Sequence, residues 1–282
     1  MEPTATGTVK EQIFEDHCVV FVDFLGFSNI VASSDDKMAD LLKILKALQS
    51  SRSDFGITHH PIDEKLGSIE VKAALSAFSD HVVISYPLER MYVHKGLNEQ
   101  TIPYIVMDHA RSLISDIAAA AFTLGLLVRG GMTIGKLYHR EGVVFGQGLI
   151  DAYRLESEVA VYPRVVLSTS MSGSAAWRTE DRRMVNRDFD GVCYLDYLHR
   201  MIMSFAPEGM NWLAGLAKRM DIVNAEIQEN IQNLENTGRL KEAAKWGWFH
   251  NRLAASMETL PQDGLNDHGV SREQLARLGL RD

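Results

Sequence analysis

Apolar residues fall first in short unbroken runs and later at a spacing of three and four, and the change between the two patterns divides the chain into elements. Residues 18–24, β-branched and aromatic, predict a short buried strand ending at Asp23. A tight turn at Leu25-Gly26-Phe27-Ser28 follows, with Gly26 permitting close backbone approach. From Ser34 onward Met38, Leu41, Leu42, Leu45 and Leu48 recur at helical spacing. Residues 50–68, including His59-His60-Pro61, are polar and turn-rich and predict a loop. Residues 69–77 and 81–86 then form a hairpin pinched at Ser79-Asp80. Ile105, Leu113, Ile114, Ile117 and Ala121 mark a second helix, followed by a strand over 126–134 with a partner near 143–145. A third helix is predicted over 148–160 and a further strand over 164–167.

Strands grouped between helices, instead of alternating strictly with them, predict an α+β fold with a mixed or antiparallel sheet. The opening order β-α-β-β-α-β is the ferredoxin-like arrangement, which places helices on one sheet face. After about residue 170 the pattern becomes helical. Trp212, Leu213, Leu216, Met220, Val223, Ile227, Ile231 and Leu234 form one stripe, and Gly238 restarts a helix through Ala254 with Trp246, Phe249 and Leu253 inward. Ser271-Arg272-Glu273-Gln274 has capping-box spacing ahead of a last short helix. The chain therefore divides into a polar segment (1–17), a domain over 18–174, and a mainly helical extension over 175–282 with one short strand near 192–195.

Composition narrows the function. The chain has 282 residues, 46% hydrophobic, enough for a substantial core. A net charge of −8 and a pI of about 5.7 argue against a general nucleic-acid binder, which presents a basic face. Cys18 and Cys193 are the only cysteines, so no disulfide framework is expected and a reducing cytoplasm fits. The first ten residues lack an apolar signal core. The longest apolar stretch, 117–128, is shorter than a membrane span and interrupted by Thr123 and Gly125. A soluble, cytoplasmic protein is the expectation.

Two carboxylates change this picture. Asp23 and Asp80 each stand at the edge of a predicted buried strand, where an unpaired charge costs several kcal/mol. Convergence on divalent cations would compensate both and create a site for phosphoryl transfer. Arg129, inside the strand over 126–134, also needs a partner if buried. Plainer roles compete: Asp23 as a helix N-cap, Arg154 pairing with Glu158 one turn later, and Gly130-Gly131 as a β-bulge. His59, His60 and Asp63 are assigned to a solvated loop and not to a metal site. Cys18 is assigned to core packing.

The motifs, taken together, resemble the class III nucleotide cyclases. Phe21-Val22-Asp23-Phe24-Leu25-Gly26-Phe27 is similar to that family's first metal motif, and Phe78-Ser79-Asp80 before an apolar strand to its second. Arg129-Gly130-Gly131 through Gly135 resembles its Arg-x-Gly-x-x-x-Gly strand. The run from Gly146 to Arg154-Leu155-Glu156 resembles its Gly-x-x-x-Asn-x-x-x-Arg-Leu-Glu helix, with Ile150 in place of the asparagine. The likeness covers residues 18–170. It implies two divalent cations, Mn²⁺ or Mg²⁺, in a metal set of Asp23, Phe24 and Asp80. It further implies phosphates cradled by the turn from Phe24, Leu25, Gly26 and Phe27 to Ser28, Arg129 on the β- or γ-phosphate, and Arg154 from a second subunit stabilising the α-phosphate. A homodimer with composite sites follows.

Purine-specific members read the base with a lysine and an aspartate; the corresponding positions here are Ser76 and Val143, neither of them charged. The helix Leu149-Ile150-Asp151-Ala152-Tyr153-Arg154-Leu155-Glu156-Ser157, continuing to Ala160 and to Tyr162-Pro163-Arg164, resembles more closely the pyrimidine cyclases of bacterial Pycsar anti-phage defence. That resemblance implies UTP, and less favourably CTP, as substrate, a cyclic pyrimidine monophosphate as alarm signal, and an effector that senses it. Alternatives are an adenylate or guanylate cyclase, a cyclase-like sensor or scaffold without turnover, and a polymerase-palm relative, which the acidic pI disfavours.

Overall fold

The structure is a computed structural model that describes residues 13–31, 39–40, 42–44, 46, 58–63, 67–71, 73–88, 101–174, 184–206 and 212–268. The apolar run that begins the chain's core forms β1 (Glu15–Leu25), longer than the predicted strand at its polar start. It is the hub of an eight-stranded sheet. β4 (Ala74–Phe78) and β5 (His81–Pro87) make the predicted hairpin, turning at Ser79 with φ +53°. β5 and β6 (Leu127–Arg140) flank β1, both antiparallel to it. β6 turns through Glu141 and Gly142, both at positive φ, into β7 (Val143–Phe145), as a two-residue hairpin turn requires. β8 (Val165–Leu167) runs parallel to β6 and is followed outward by β10 (Cys193–Leu195) and β9 (Val185–Arg187).

Between strands lie α1 (Phe27–Val31), α2 (Thr101–Phe122), and α3 (Gln147–Arg154), which continues as a π turn over Leu155–Val159. α4 (Thr169–Ser172) and α5 (Leu198–Met203) are short, and α6 (Trp212–Asn236) and α7 (Leu240–His268) close the chain. Among the described residues no helix is long and apolar enough to cross a membrane.

The alternation of β1 sends Cys18, Val20, Val22 and Phe24 to one face. There they join α2 and the inward stripe of α6 and α7 (Leu216, Met220, Val223, Ile227, Phe249, Leu253) in one core. Sheet and core thus both continue across the expected boundary at 174/175. Val19 and Phe21 point to the other face with Val83, Leu137 and Ala152, so α3 packs opposite the other helices instead of beside them.

Three expectations are corrected. The loop over 50–68 contains β2 (Thr58–Asp63), paired with β3 (Gly67–Val71) in a separate two-stranded sheet; Pro61 is accommodated beside a register shift, where a missing amide costs least. The strand over 69–77 is accordingly two strands, β3 and β4, with different partners. Gly130-Gly131 is not a bulge, because the β1–β6 register passes through both without a shift. Closeness explains the glycines better: a Cβ on Gly131 would lie 2.2 Å from the Ala152 carbonyl of α3, and one on Gly130 2.4 Å from that of Phe21. Of the predicted helix from Ser34, residues 39–40, 42–44 and 46 are described and helical, and Leu42 is half exposed. Leu41, Leu45 and Leu48, like the capping box at Ser271, lie outside the described residues.

Candidate active site

Asp23 stands at the register position where β1 faces His81 of β5 on one side and Arg129 of β6 on the other. Directly opposed residues project to the same face, so strand pairing alone brings together three side chains far apart in sequence. The β4–β5 turn adds Asp80, fixed by the Phe24 amide donating to the Asp80 carbonyl at 3.0 Å. His81 lies between the acids, Nδ1 at 3.1 Å from Asp80 Oδ1 and Nε2 at 3.7 Å from Asp23 Oδ1. One potential ligand atom from each of Asp23, Asp80 and His81 falls within 4.8 Å of the others. Hard carboxylate oxygens with one imidazole suit a divalent cation such as Mg²⁺ or Mn²⁺, so the donor set fits the implied metal.

Arg129 balances the other side of Asp23. Its Nε donates to Asp23 Oδ2 at 2.8 Å and its Nη1 to the Ala160 carbonyl at 3.4 Å, while Nη2 lies 2.7 Å from Glu156 Oε1. Glu156 reaches this position from the π turn, whose extra residue per turn brings it against β6 in the interior of the sheet. Burial pushes its carboxyl up to about 7 against the pull of Arg129, with Asp23 and Asp80 adding to the rise. Lys245 of α7 completes the electrostatic neighbourhood. Burial lowers its pKa, and the Arg129 guanidinium lowers it further, against the charges of Glu242, Asp23 and Glu156.

The remaining predicted residues fall around this centre. Phe24 is 2% exposed and anchored in the core, and Gly26 turns the chain at φ +96°. Leu25 and Phe27 pack partly against the core on either side. Arg154 does not join the cluster. It lines a separate cleft of about 630 Å³ with Asp151, Glu158, Ser170 and Asp190, and among the described residues it makes no ion pair, with Glu158 or any other acid. Ser76 is buried, its Oγ 2.9 Å from His139 Nε2, and the other ring nitrogen lies 2.9 Å from Ser85 Oγ. Val143 is exposed at the end of the β6–β7 hairpin. Neither touches the Asp23 cluster.

Sequence reasoning missed His81, Glu156 and Lys245 as site members. His81 carried a signal, being adjacent to Asp80 and at the start of an apolar strand. Glu156 closed the quoted helix motif but had no assigned role, and nothing marks Lys245 among the lysines of α7.

No protein-family model and no curated protein matches the chain. Among solved structures it is similar to a bacterial light-regulated adenylyl cyclase, at 12% identity and a TM-score of 0.35. The alignment covers 72% of this chain but only 56% of that one, so this chain spans little more than half its length. A likeness this distant carries no argument about activity.

Proposed function

We propose that the chain is a metal-dependent nucleotide cyclase that converts a pyrimidine triphosphate, UTP in preference to CTP, to the 3′,5′-cyclic monophosphate and pyrophosphate. The observation that carries this reading is the convergence of Asp23 and Asp80, separated by 57 positions in the chain, with His81 between them. The strand order β4-β5-β1-β6, antiparallel throughout, supports the ferredoxin-like arrangement that the motifs imply.

In the reaction the ribose 3′-oxygen bonds to the α-phosphorus, the bond from that phosphorus to the β-bridging oxygen breaks, and the hydroxyl proton leaves to solvent. Divalent ions held by Asp23, Asp80 and the neighbouring Phe24 backbone would supply Lewis acidity at the hydroxyl and the triphosphate. Arg129 aims the Asp23 carboxylate through its 2.8 Å contact, and is the nearest guanidinium to the incoming phosphates. Arg154, outside the cluster in its own chain, suits a second subunit's site, where it would meet charge developing at the α-phosphate. Exposed Val143, Phe145, Ile150 and Tyr153 lie on or beside α3 and offer the apolar surface a homodimer would bury. The uncharged Ser76 and Val143 favour a pyrimidine over a purine. A cyclic pyrimidine nucleotide would serve as a defence signal to a sensing effector.

Incubating purified protein with each of the four ribonucleoside triphosphates and Mn²⁺, followed by mass spectrometry, tests the reading. Cyclic UMP is the expected main product, and Asp23→Ala or Asp80→Ala should abolish it without altering the circular-dichroism spectrum. Absence of any cyclic product sinks the enzyme, and cyclic AMP as main product sinks the base preference. One observation favours a binding module instead: the Arg129 guanidinium already offers Asp23 a counter-charge in place of a metal ion. Nucleotide binding without turnover would establish that alternative.

A further inference from the structure

A cleft of about 720 Å³ opens beside the Asp23 cluster, within the size range of small-molecule sites. One wall is the turn that follows Asp23, with Gly26, Ser28 and Asn29; the other is Arg239, just before α7, with Glu242 and Lys245 from its first turns. The two walls touch where Arg239 Nη2 approaches Asn29 Oδ1 at 3.4 Å. Arg239 is also held by Glu242, with Nε and Nη2 each 3.3 Å from Oε1.

Lys245, one turn further along α7, differs. It is half-buried, lines the same cleft, and among the described residues its ammonium has no hydrogen bond or salt bridge. It is nevertheless within electrostatic reach of Asp23, Arg129 and Glu156. Arg129, the guanidinium closest to Asp23, is already committed to two carboxylates. A polyphosphate entering past Asp23 would therefore meet Lys245 as its available cation, on a protein whose overall charge of −8 provides no general attraction. Glu226 on α6 also lines the cleft and works against an anion, which makes the placement of Lys245 decisive.

We propose that Lys245, with Arg239 behind it, receives the β- and γ-phosphates of the nucleoside triphosphate, so that the C-terminal helices supply the phosphate end of the substrate site from the same chain as Asp23 and Asp80. The identity of this anion rests on the cyclase reading. The cationic site itself does not.

Inorganic tripolyphosphate, which has no base or ribose and cannot be cyclised, separates the two. Isothermal titration in metal-free, low-salt buffer should show binding to the wild type, weakened about ten-fold or more by Lys245→Met and largely kept by Lys245→Arg, in line with loss of a charge-assisted contact. In the cyclase assay, Lys245→Met should raise KM for the triphosphate by a similar factor, with a smaller change in kcat. Thermal melts establish that the variants fold; if Lys245→Met does not, Lys245→Gln and Arg239→Gln replace it. Tripolyphosphate binding that is absent from the wild type, or equal in wild type and Lys245→Met, overturns the inference even if cyclic nucleotide is made. Lys245-dependent binding with no cyclic product leaves the anion site standing and removes the cyclase reading.

Discussion

Glu156 is 2% exposed, faces Arg129, and shares its surroundings with two further carboxylates. Burial dominates, so its carboxyl rises from an ordinary 4.5 to about 7. Between those values the folded chain holds a proton that the unfolded chain has released. Stability therefore falls as pH rises through this window, by up to about 1.4 kcal/mol per pH unit, and levels off above it. With divalent ions chelated, thermal melts of wild type and Glu156→Gln should differ most in slope between pH 5 and 7, the wild type losing ground to the variant as pH rises. Parallel curves would remove the raised carboxyl. Asp23, Asp80 and Arg129 were legible in the sequence because each interrupts an apolar run, where an unpaired charge is costly. Glu156 was not, because its burial depends on a π turn that ordinary helical periodicity does not encode. Lys245 was not because its position follows from the packing of α7, 89 residues beyond Glu156, the nearest other member of the cluster in sequence.

Among the elements, α7 connects to the sheet through Asp188. The side chain of Asp188 is fully buried, pairs with the equally buried Arg164 and with Arg252 of α7, and accepts from Trp248 Nε1 at 2.7 Å. Burial opposes its charge, yet the Phe189 amide, Trp248 and the two guanidiniums hold its carboxyl below the usual range. Asp188→Ala leaves the buried Arg164 with only Asp190 and strips Trp248 Nε1 and Arg252 of their acceptor, so it should cost about 3–5 kcal/mol in urea unfolding. Asp190→Asn, at an exposed position that leaves the Arg164–Asp188 pair in place, should cost much less. Equal losses would refute a buried hub. None of this network was visible beforehand, since Arg164 was assigned to a strand start and Asp188 to no element. β1, the β4–β5 hairpin and the stripes of α6 and α7 were visible, because one face of each is apolar at the correct period. β6 extends six residues beyond expectation because its far half alternates in exposure, as a strand leaving the core does.

For the whole molecule, the proposed cyclase reaction would set a requirement on assembly, because Arg154 stands apart from the Asp23 cluster. Arg154 lines a cleft that Asp23 does not reach, on the α3 side of the sheet where Ile150 and Tyr153 stay half exposed. A single chain then has the acids of one site and the arginine of another, and a two-fold dimer would unite them. If so, Asp23→Ala and Arg154→Ala are each inactive as homodimers, but a heterodimer keeps one intact site, built from the Asp23 of one subunit and the Arg154 of its partner. Random exchange makes half the dimers mixed, each with one working site of two, so mixed variants should recover about a quarter of wild-type activity. Recovery must also rise with time of subunit exchange and vanish when subunits are cross-linked before mixing. No recovery, from variants that both remain folded and dimeric, would mean that Arg154 serves its own chain or does not serve the reaction.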